Sequence, residues 1–141
     1  MIELIVGEKG KGKTKTMVAK ASNDSRLTGI NIIYIDSNNK HTDELGEHVH
    51  LLNLHDFKIR SEEMFLGFIY GIVSQNNNVD KIFMDNFLSI ACINDDLKKL
   101  EELIEEINSI SDKFSTDFVI GISLKPDDLP DKIKEYITIE L

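Results

Sequence analysis

Arginine is almost missing from this chain: Arg26 and Arg60 are the only two in 141 residues, and Lys plus Arg number 16 against 25 Asp plus Glu. The net charge of −9 argues against a general affinity for nucleic acid, whose phosphate backbone needs clustered cations. Cysteine is reduced to Cys92. No disulfide can form within the chain, and a reducing, cytoplasmic setting is expected. Long apolar runs are missing too. The longest, Met64 to Val73, is about half of what a membrane-spanning helix needs. Ile2 already opens a strand-like run, so no leader peptide is expected. The length fits one domain over 1–141, and the apolar content of 41% predicts a packed core rather than disorder.

Against this background the amino-terminal segment stands out. Gly7-Glu8-Lys9-Gly10-Lys11-Gly12-Lys13-Thr14 spells G-x-x-x-x-G-K-T, the phosphate-binding P-loop, between an apolar strand-like run and a helix-compatible segment. The chemistry follows from that placement. Glycines let the backbone coil so that successive N–H groups converge on phosphate oxygens, and the helix N-terminus adds partial positive charge. Lys13 then reaches the β- and γ-phosphates, and the Thr14 hydroxyl is a Mg²⁺ ligand. Lys9, Lys11, Lys13, Lys15 and Lys20 form the one local concentration of cations. Of these, Lys9, Lys11 and Lys15 read as a solvated rim serving a triphosphate rather than as a DNA contact. Binding residues are thus expected from Gly7 through Lys15.

Five strands are predicted, at Ile2–Val6, Ile30–Ile35, Val49–Leu52, Lys81–Met84 and Phe118–Ser123, with a sixth candidate at Tyr136–Glu140. Helices are expected over Lys13–Asn23, over Glu62–Gln75 capped by Ser61, and over Asp95–Lys113 capped by Asn94. Met64, Phe65, Phe68, Ile69, Ile72 and Val73 share one face of the second helix. Gly67 and Gly71 should let it approach a sheet. In the third helix, Leu97, Leu100, Leu103, Ile104, Ile107 and Ile110 form a core stripe, too short for a coiled coil, and Glu101, Glu102, Glu105 and Glu106 form a solvated face. Asn76-Asn77-Asn78 reads as a loop. Alternation of strand and helix predicts an α/β fold: a three-layer α/β/α P-loop arrangement around a mainly parallel sheet.

A second carboxylate should hold Mg²⁺ from the end of a neighbouring strand, and Ile82-Phe83-Met84-Asp85 nominates Asp85. Another strand, ending Tyr34-Ile35-Asp36, and a long helix lie between Thr14 and Asp85. This implies a strand inserted between the two motif strands, the RecA-like, additional-strand arrangement. Enzymes of that branch carry a water-activating Glu beside the Walker B Asp or at the end of the strand after the P-loop helix. Here Asn86 follows Asp85, and Ser37, Asn38 and Asn39 follow Asp36. Amides orient water but take no proton, so Asp36 is the only acid near the second position, where the roles of activating base, remote Mg²⁺ contact and turn former compete and the turn is favoured. Asn86 is a candidate to fix the water that contacts the γ-phosphate, and Ser123 is a candidate γ-phosphate sensor, a place that a simple strand-terminal serine explains equally well. Arg60 is a candidate for presentation to a neighbouring subunit, and the scarcity of arginine predicts slow turnover. His48 and His50, with His41 and His55 nearby, read as solvent-facing edge positions in preference to a zinc site.

Met1 through Lys15, Ile82 to Asp85, the acidic helix that follows, and Ser123 to Lys134 with its Leu129-Pro130-Asp131-Lys132-Ile133-Lys134 segment give the chain a wider likeness. It resembles a family of small stand-alone bacterial P-loop proteins of the RecA-like branch, commonly labelled by loose similarity to twitching-motility ATPases. The resemblance implies triphosphate binding by Gly7 to Thr14, with Thr14 and Asp85 handling Mg²⁺. It does not imply a motor, because twitching motors are longer and carry further acidic motifs that are missing here. The expectation is Mg²⁺-dependent binding of ATP or GTP with weak hydrolysis, as a switch or as a subunit of a homo-oligomer or a partner assembly, catalysed through Lys13, Asp85 and Asp36. A non-hydrolysing nucleotide-binding module is the alternative. A small-molecule phosphotransferase is less favoured, since it would want several arginines and a lid.

Overall fold

The computed structural model describes residues 1–141 apart from Asn39, His41, Asn76 and Asn77, and apart from the side chains of Leu27, Thr28 and Thr42. Six strands form one sheet: β1 (Ile2–Val6), β2 (Ile32–Asp36), β3 (Val49–Asn53), β4 (Lys81–Met84), β5 (Asp117–Ile122) and β6 (Ile137–Glu140). Every ladder is parallel, and the order across the sheet is β3-β2-β4-β5-β1-β6. The helices are α1 (Lys13–Thr28), α2 (Thr42–Leu45), α3 (Glu62–Gln75), α4 (Phe87–Ile90) and α5 (Leu97–Phe114).

Strand periodicity divides the core in two. Ile2, Leu4 and Val6 of β1, with Ile82, Met84, Phe118, Ile120 and Ile122, pack against α3, α4 and α5. The alternate residues Ile5, Ile32, Tyr34, Phe83 and Val119 pack against Met17, Val18 and Ala21 of α1 and Leu45 of α2. Buried runs on both faces are what an all-parallel sheet requires. The direction of travel explains the split. The chain crosses from β1 to β2 in one sense, then returns from β3 to β4 and β5 in the other, and crossovers of one hand place such connections on opposite faces.

The α3 stripe that reaches the sheet is Phe65, Ile69 and Val73, each contributing about 1.5–3 kcal/mol on full burial. Met64 does not join them, being 48% exposed. Gly67 and Gly71 do not admit the sheet either: both are exposed, and an added Cβ would meet nothing within 4 Å. Gly67 lies two residues past Phe65, about 200° around the helix. Ser61 does cap α3, its Oγ accepting from Met64 N at 3.2 Å. The α5 cap is Asp96 rather than Asn94, with Asp96 Oδ1 accepting from Lys99 N at 3.1 Å. Asn94 adopts left-handed backbone (φ 51°) and its N–H closes the preceding turn on Leu88 O at 3.0 Å. The core stripe of α5 buries Leu100, Leu103, Ile104, Ile107 and Ile110 as its spacing predicted, while Leu97 is 38% exposed.

Several boundaries move. α1 continues past Asn23 to Thr28 and stops at Gly29 in left-handed backbone. β2 starts two residues later than predicted and takes in Asp36. β5 ends at Ile122, which leaves Ser123 just beyond it, and Tyr136 belongs to a 3-10 turn before β6. Of the Asn76-Asn77-Asn78 loop, the first two residues lie outside the described set. No helix among the described residues is long and apolar enough to cross a membrane.

Candidate functional site

One strand, β5, separates β1 from β4 in the sheet. Connections leave β1 and β5 in opposite directions, and those from β2 and β4 also diverge, so the carboxyl edge carries two places where the sheet opens a crevice. Open α/β sheets bind ligands at such points. A cavity of about 400 Å³ occupies this edge. Its walls come from the loop between β1 and α1, from the ends of β2 and β4, and from Ser123 after β5.

The loop is shaped by its glycines. Gly10 and Gly12 adopt φ +87° and +91°, a region costly for any residue with a Cβ. Gly12 is the N-cap of α1 and supplies no side-chain acceptor, and the first intrahelical bond runs from Thr16 N to Gly12 O at 3.0 Å. The N–H groups of Lys13, Thr14 and Lys15 precede that bond, as the leading donors of any helix do. They sit at the positive end of the helix dipole, where Thr14 and Lys15 join the cavity wall. Gly7 is a glycine for another reason. The backbone of Leu141 lies against it, and an added Cβ would come 2.9 Å from Leu141 O.

Lys13 is the buried cation of the site. Its Nζ donates to Glu8 O at 3.1 Å, so the ammonium is tucked under the loop with only 7% of the residue exposed. Burial lowers its pKa below the usual lysine value, opposed by the nearby negative charge of Asp85. Lys9, Lys15 and Lys40 line the cavity from its rim, and all three are exposed.

Two carboxylates face these cations. Asp36 ends β2 and Asp85 follows β4, at adjacent places on neighbouring strands, since Ile35 pairs with Met84. Both are buried and both line the cavity. Asp36 Oδ1 accepts from Ser37 N at 2.6 Å. Asp85 Oδ1 accepts from Asn86 N at 2.8 Å, and its Oδ2 accepts from the Tyr34 hydroxyl at 3.0 Å. The Tyr34 phenol is buried between the sheet and α1 and stacks on Phe83. Burial foremost, then the charge and hydrogen bond of Asp85, with smaller contributions from Asp36 and Glu44, push its pKa far above the ordinary range. It is therefore a permanent donor.

Of the residues nominated from sequence, Lys9, Gly10, Gly12, Lys13, Thr14, Lys15, Asp36, Asp85, Asn86 and Ser123 line one cavity. Gly7, Glu8 and Lys11 do not line it: Gly7 is covered by Leu141, Glu8 serves through its carbonyl, and Lys11 is exposed. Lys20 sits away from it, 3.9 Å from Glu3 Oε2. Arg26 lies near the C-terminus of α1, and Arg60 is exposed ahead of α3; neither lines the cavity. Ser37 and Asn38 join the wall, whereas Asn39 lies outside the described residues. His50 is exposed on the edge strand β3, His48 and His55 are exposed beside it, and His41 lies outside the described residues. Among the described residues no group of three or more His, Cys, Asp or Glu side chains is arranged to hold a metal.

Sequence reasoning missed Lys40 and the role of Tyr34. Lys40 stands in a turn without a motif, and nothing local marks it. Tyr34 did carry a signal: a tyrosine at an inward strand position must find an acceptor for its hydroxyl. Comparison of the chain with protein-family models and with curated protein sequences returns no match.

Proposed function

We propose that the chain binds a nucleoside triphosphate with Mg²⁺ at the carboxyl edge of its sheet and hydrolyses it slowly, acting as a switch or as a subunit of an assembly. The observation that carries this reading is the meeting of the G-x-x-x-x-G-K-T loop, the N-terminus of α1, Lys13 and two strand-end carboxylates in one cavity. The placement of β5 between β1 and β4 supports the RecA-like branch of P-loop proteins, in which an added strand parts the two motif strands.

The donor set fits Mg²⁺. The Thr14 hydroxyl and the carboxylates of Asp36 and Asp85 are hard oxygen donors, and no sulfur or imidazole lines the cavity among the described residues. Thr14 and Asp85 would hold the ion, which when bound neutralises charge on the β- and γ-phosphate oxygens. Lys13 contributes a fixed positive charge to the same phosphates. Lys9, Lys15 and Lys40 add a screened, exposed field that favours a polyanion. This arrangement suits ATP and GTP alike.

Slow turnover follows from what surrounds the phosphates. No glutamate and no arginine lines the cavity among the described residues, and Asp36 is left as the acid able to orient a water. An arginine supplied from outside contributes about 10³–10⁵ in rate to phosphoryl transfer, so its lack keeps the intrinsic rate low. The test is calorimetry with ATP and GTP at millimolar Mg²⁺, paired with phosphate release from wild type and Lys13→Ala. Binding plus Lys13-dependent release is expected. Binding without release above the variant makes the chain a non-hydrolysing module, and absence of heat from either nucleotide removes the proposal.

A further inference from the structure

Asp85 is not a bare carboxylate on the cavity wall. One oxygen accepts from Asn86 N at 2.8 Å and the other from the Tyr34 hydroxyl at 3.0 Å, so both are fixed in place. A carboxylate offers about four lone-pair sites, and two of these are taken. The phenol is held in place: Tyr34 has no exposed surface, is stacked at 5.8 Å on Phe83, and belongs to the buried cluster that the sheet forms with α1. Its hydroxyl has a rigid mount and points at the carboxylate nominated for Mg²⁺.

We propose that Tyr34 is a positioning residue that sets the Mg²⁺ affinity of the site by holding the Asp85 carboxylate in one orientation through its hydroxyl. This inference rests on the nucleotide-binding reading and deepens it. Partners that orient a metal-binding side chain typically change metal affinity about 10–100-fold when removed. Tyr34 occupies such a place while itself lying beneath the wall, outside the residues that line the cavity. The hydrogen bond also crosses from β2 to β4, so the strand that ends in Asp36 is tied to the residue that follows β4. A shift of one strand end would be felt at both carboxylates.

The experiment uses the full chain and Tyr34→Phe, which removes one oxygen and keeps the ring stack. A fluorescent ATP analogue is titrated in EDTA and then over a Mg²⁺ series, with thermal unfolding as a check on the fold. The expected result is an unchanged affinity in EDTA and a Mg²⁺ midpoint raised by about tenfold or more. In an Asp85→Ala background, which leaves the hydroxyl no carboxylate to hold, the Tyr34→Phe change should move the midpoint no further. A midpoint unmoved by Tyr34→Phe, a loss of equal size in EDTA, or a shift that persists beside Asp85→Ala would each overturn the proposal while leaving nucleotide binding intact. Wild-type protein that binds no nucleotide under either condition overturns the site reading, and this proposal with it.

Discussion

Gly121 offers the sharpest test of how the site is held. It lies inside β5 and faces α1, where an added Cβ would stand 2.5 Å from Met17 Sδ and 3.4 Å from Asp85 Oδ1. Ordinary contact for such atoms is about 3.5–4.0 Å, so Gly121→Ala overlaps the sulfur by about 1 Å. Met17 has no exposed surface and cannot swing into solvent. Overpacking of this kind costs about 1–3 kcal/mol, while replacing glycine returns about 0.4–1 kcal/mol by restricting the unfolded chain. A net loss of about 1–2 kcal/mol is expected, or a fall in Tm of about 3–6 °C at this chain length. Met17→Ala alone costs about 2–5 kcal/mol through its cavity, but it opens room for the new methyl. The double variant should therefore lose at least about 1 kcal/mol less than the sum of the singles. Chemical denaturation of the four proteins measures the cycle. A Gly121→Ala loss below about 0.5 kcal/mol, or strict additivity with Met17→Ala, would refute the close approach of α1 to β5.

Three further outcomes are expected. Asp85→Ala strands the buried Tyr34 hydroxyl and should cost about 1–3 kcal/mol, whereas Asp85→Asn keeps an acceptor and should cost less than half of that in thermal unfolding; equal losses would argue against the Tyr34–Asp85 bond. Lys13 holds its proton less tightly when folded than the usual 10.5, so its burial penalty is present below the lowered pKa and is relieved as pH rises toward 10.5. Without nucleotide, Lys13→Met should then be more stable than wild type near neutral pH, with the gap closing as pH climbs through that window in parallel denaturant titrations; a constant gap contradicts the burial of the charge. Asp36→Asn should leave nucleotide affinity within about twofold and lower phosphate release about tenfold or more, and an unchanged rate would exclude Asp36 as the acid that handles the water.

Much of the fold could be read from the chain because its strands announce themselves. Ile2–Val6 and Lys81–Met84 have the expected bounds, and apolar periodicity placed α3 and the core stripe of α5. The errors have local causes. Asn94 looked like a cap because capping residues are also turn residues, and here its backbone turns left-handed instead. Gly67 and Gly71 suggested close packing, but spacing alone does not say which face of α3 meets the sheet, and they lie on the outer one. The cavity was legible in part. Motif chemistry nominated the loop and Asp85, and strand endings nominated Asp36 and Ser123. Tyr34 escaped because its role depends on β2 lying beside β4, a pairing no sequence window contains.

The place of β1 in the sheet has a consequence for how the chain matures. Its neighbours are β5 and β6, with Ile2 opposite Phe118 and Val6 opposite Glu140, so β1 is bordered on both sides by strands far along the sequence from it. During synthesis the glycine-rich loop has no partner strand to rest on until residues beyond 117 have emerged. Contacts between such distant parts of a chain form slowly, because a long loop must close before they are rewarded. The flank of the loop is therefore completed only in the finished sheet. Removing β6, or delaying its arrival, would leave the flank of β1 exposed as an adhesive edge.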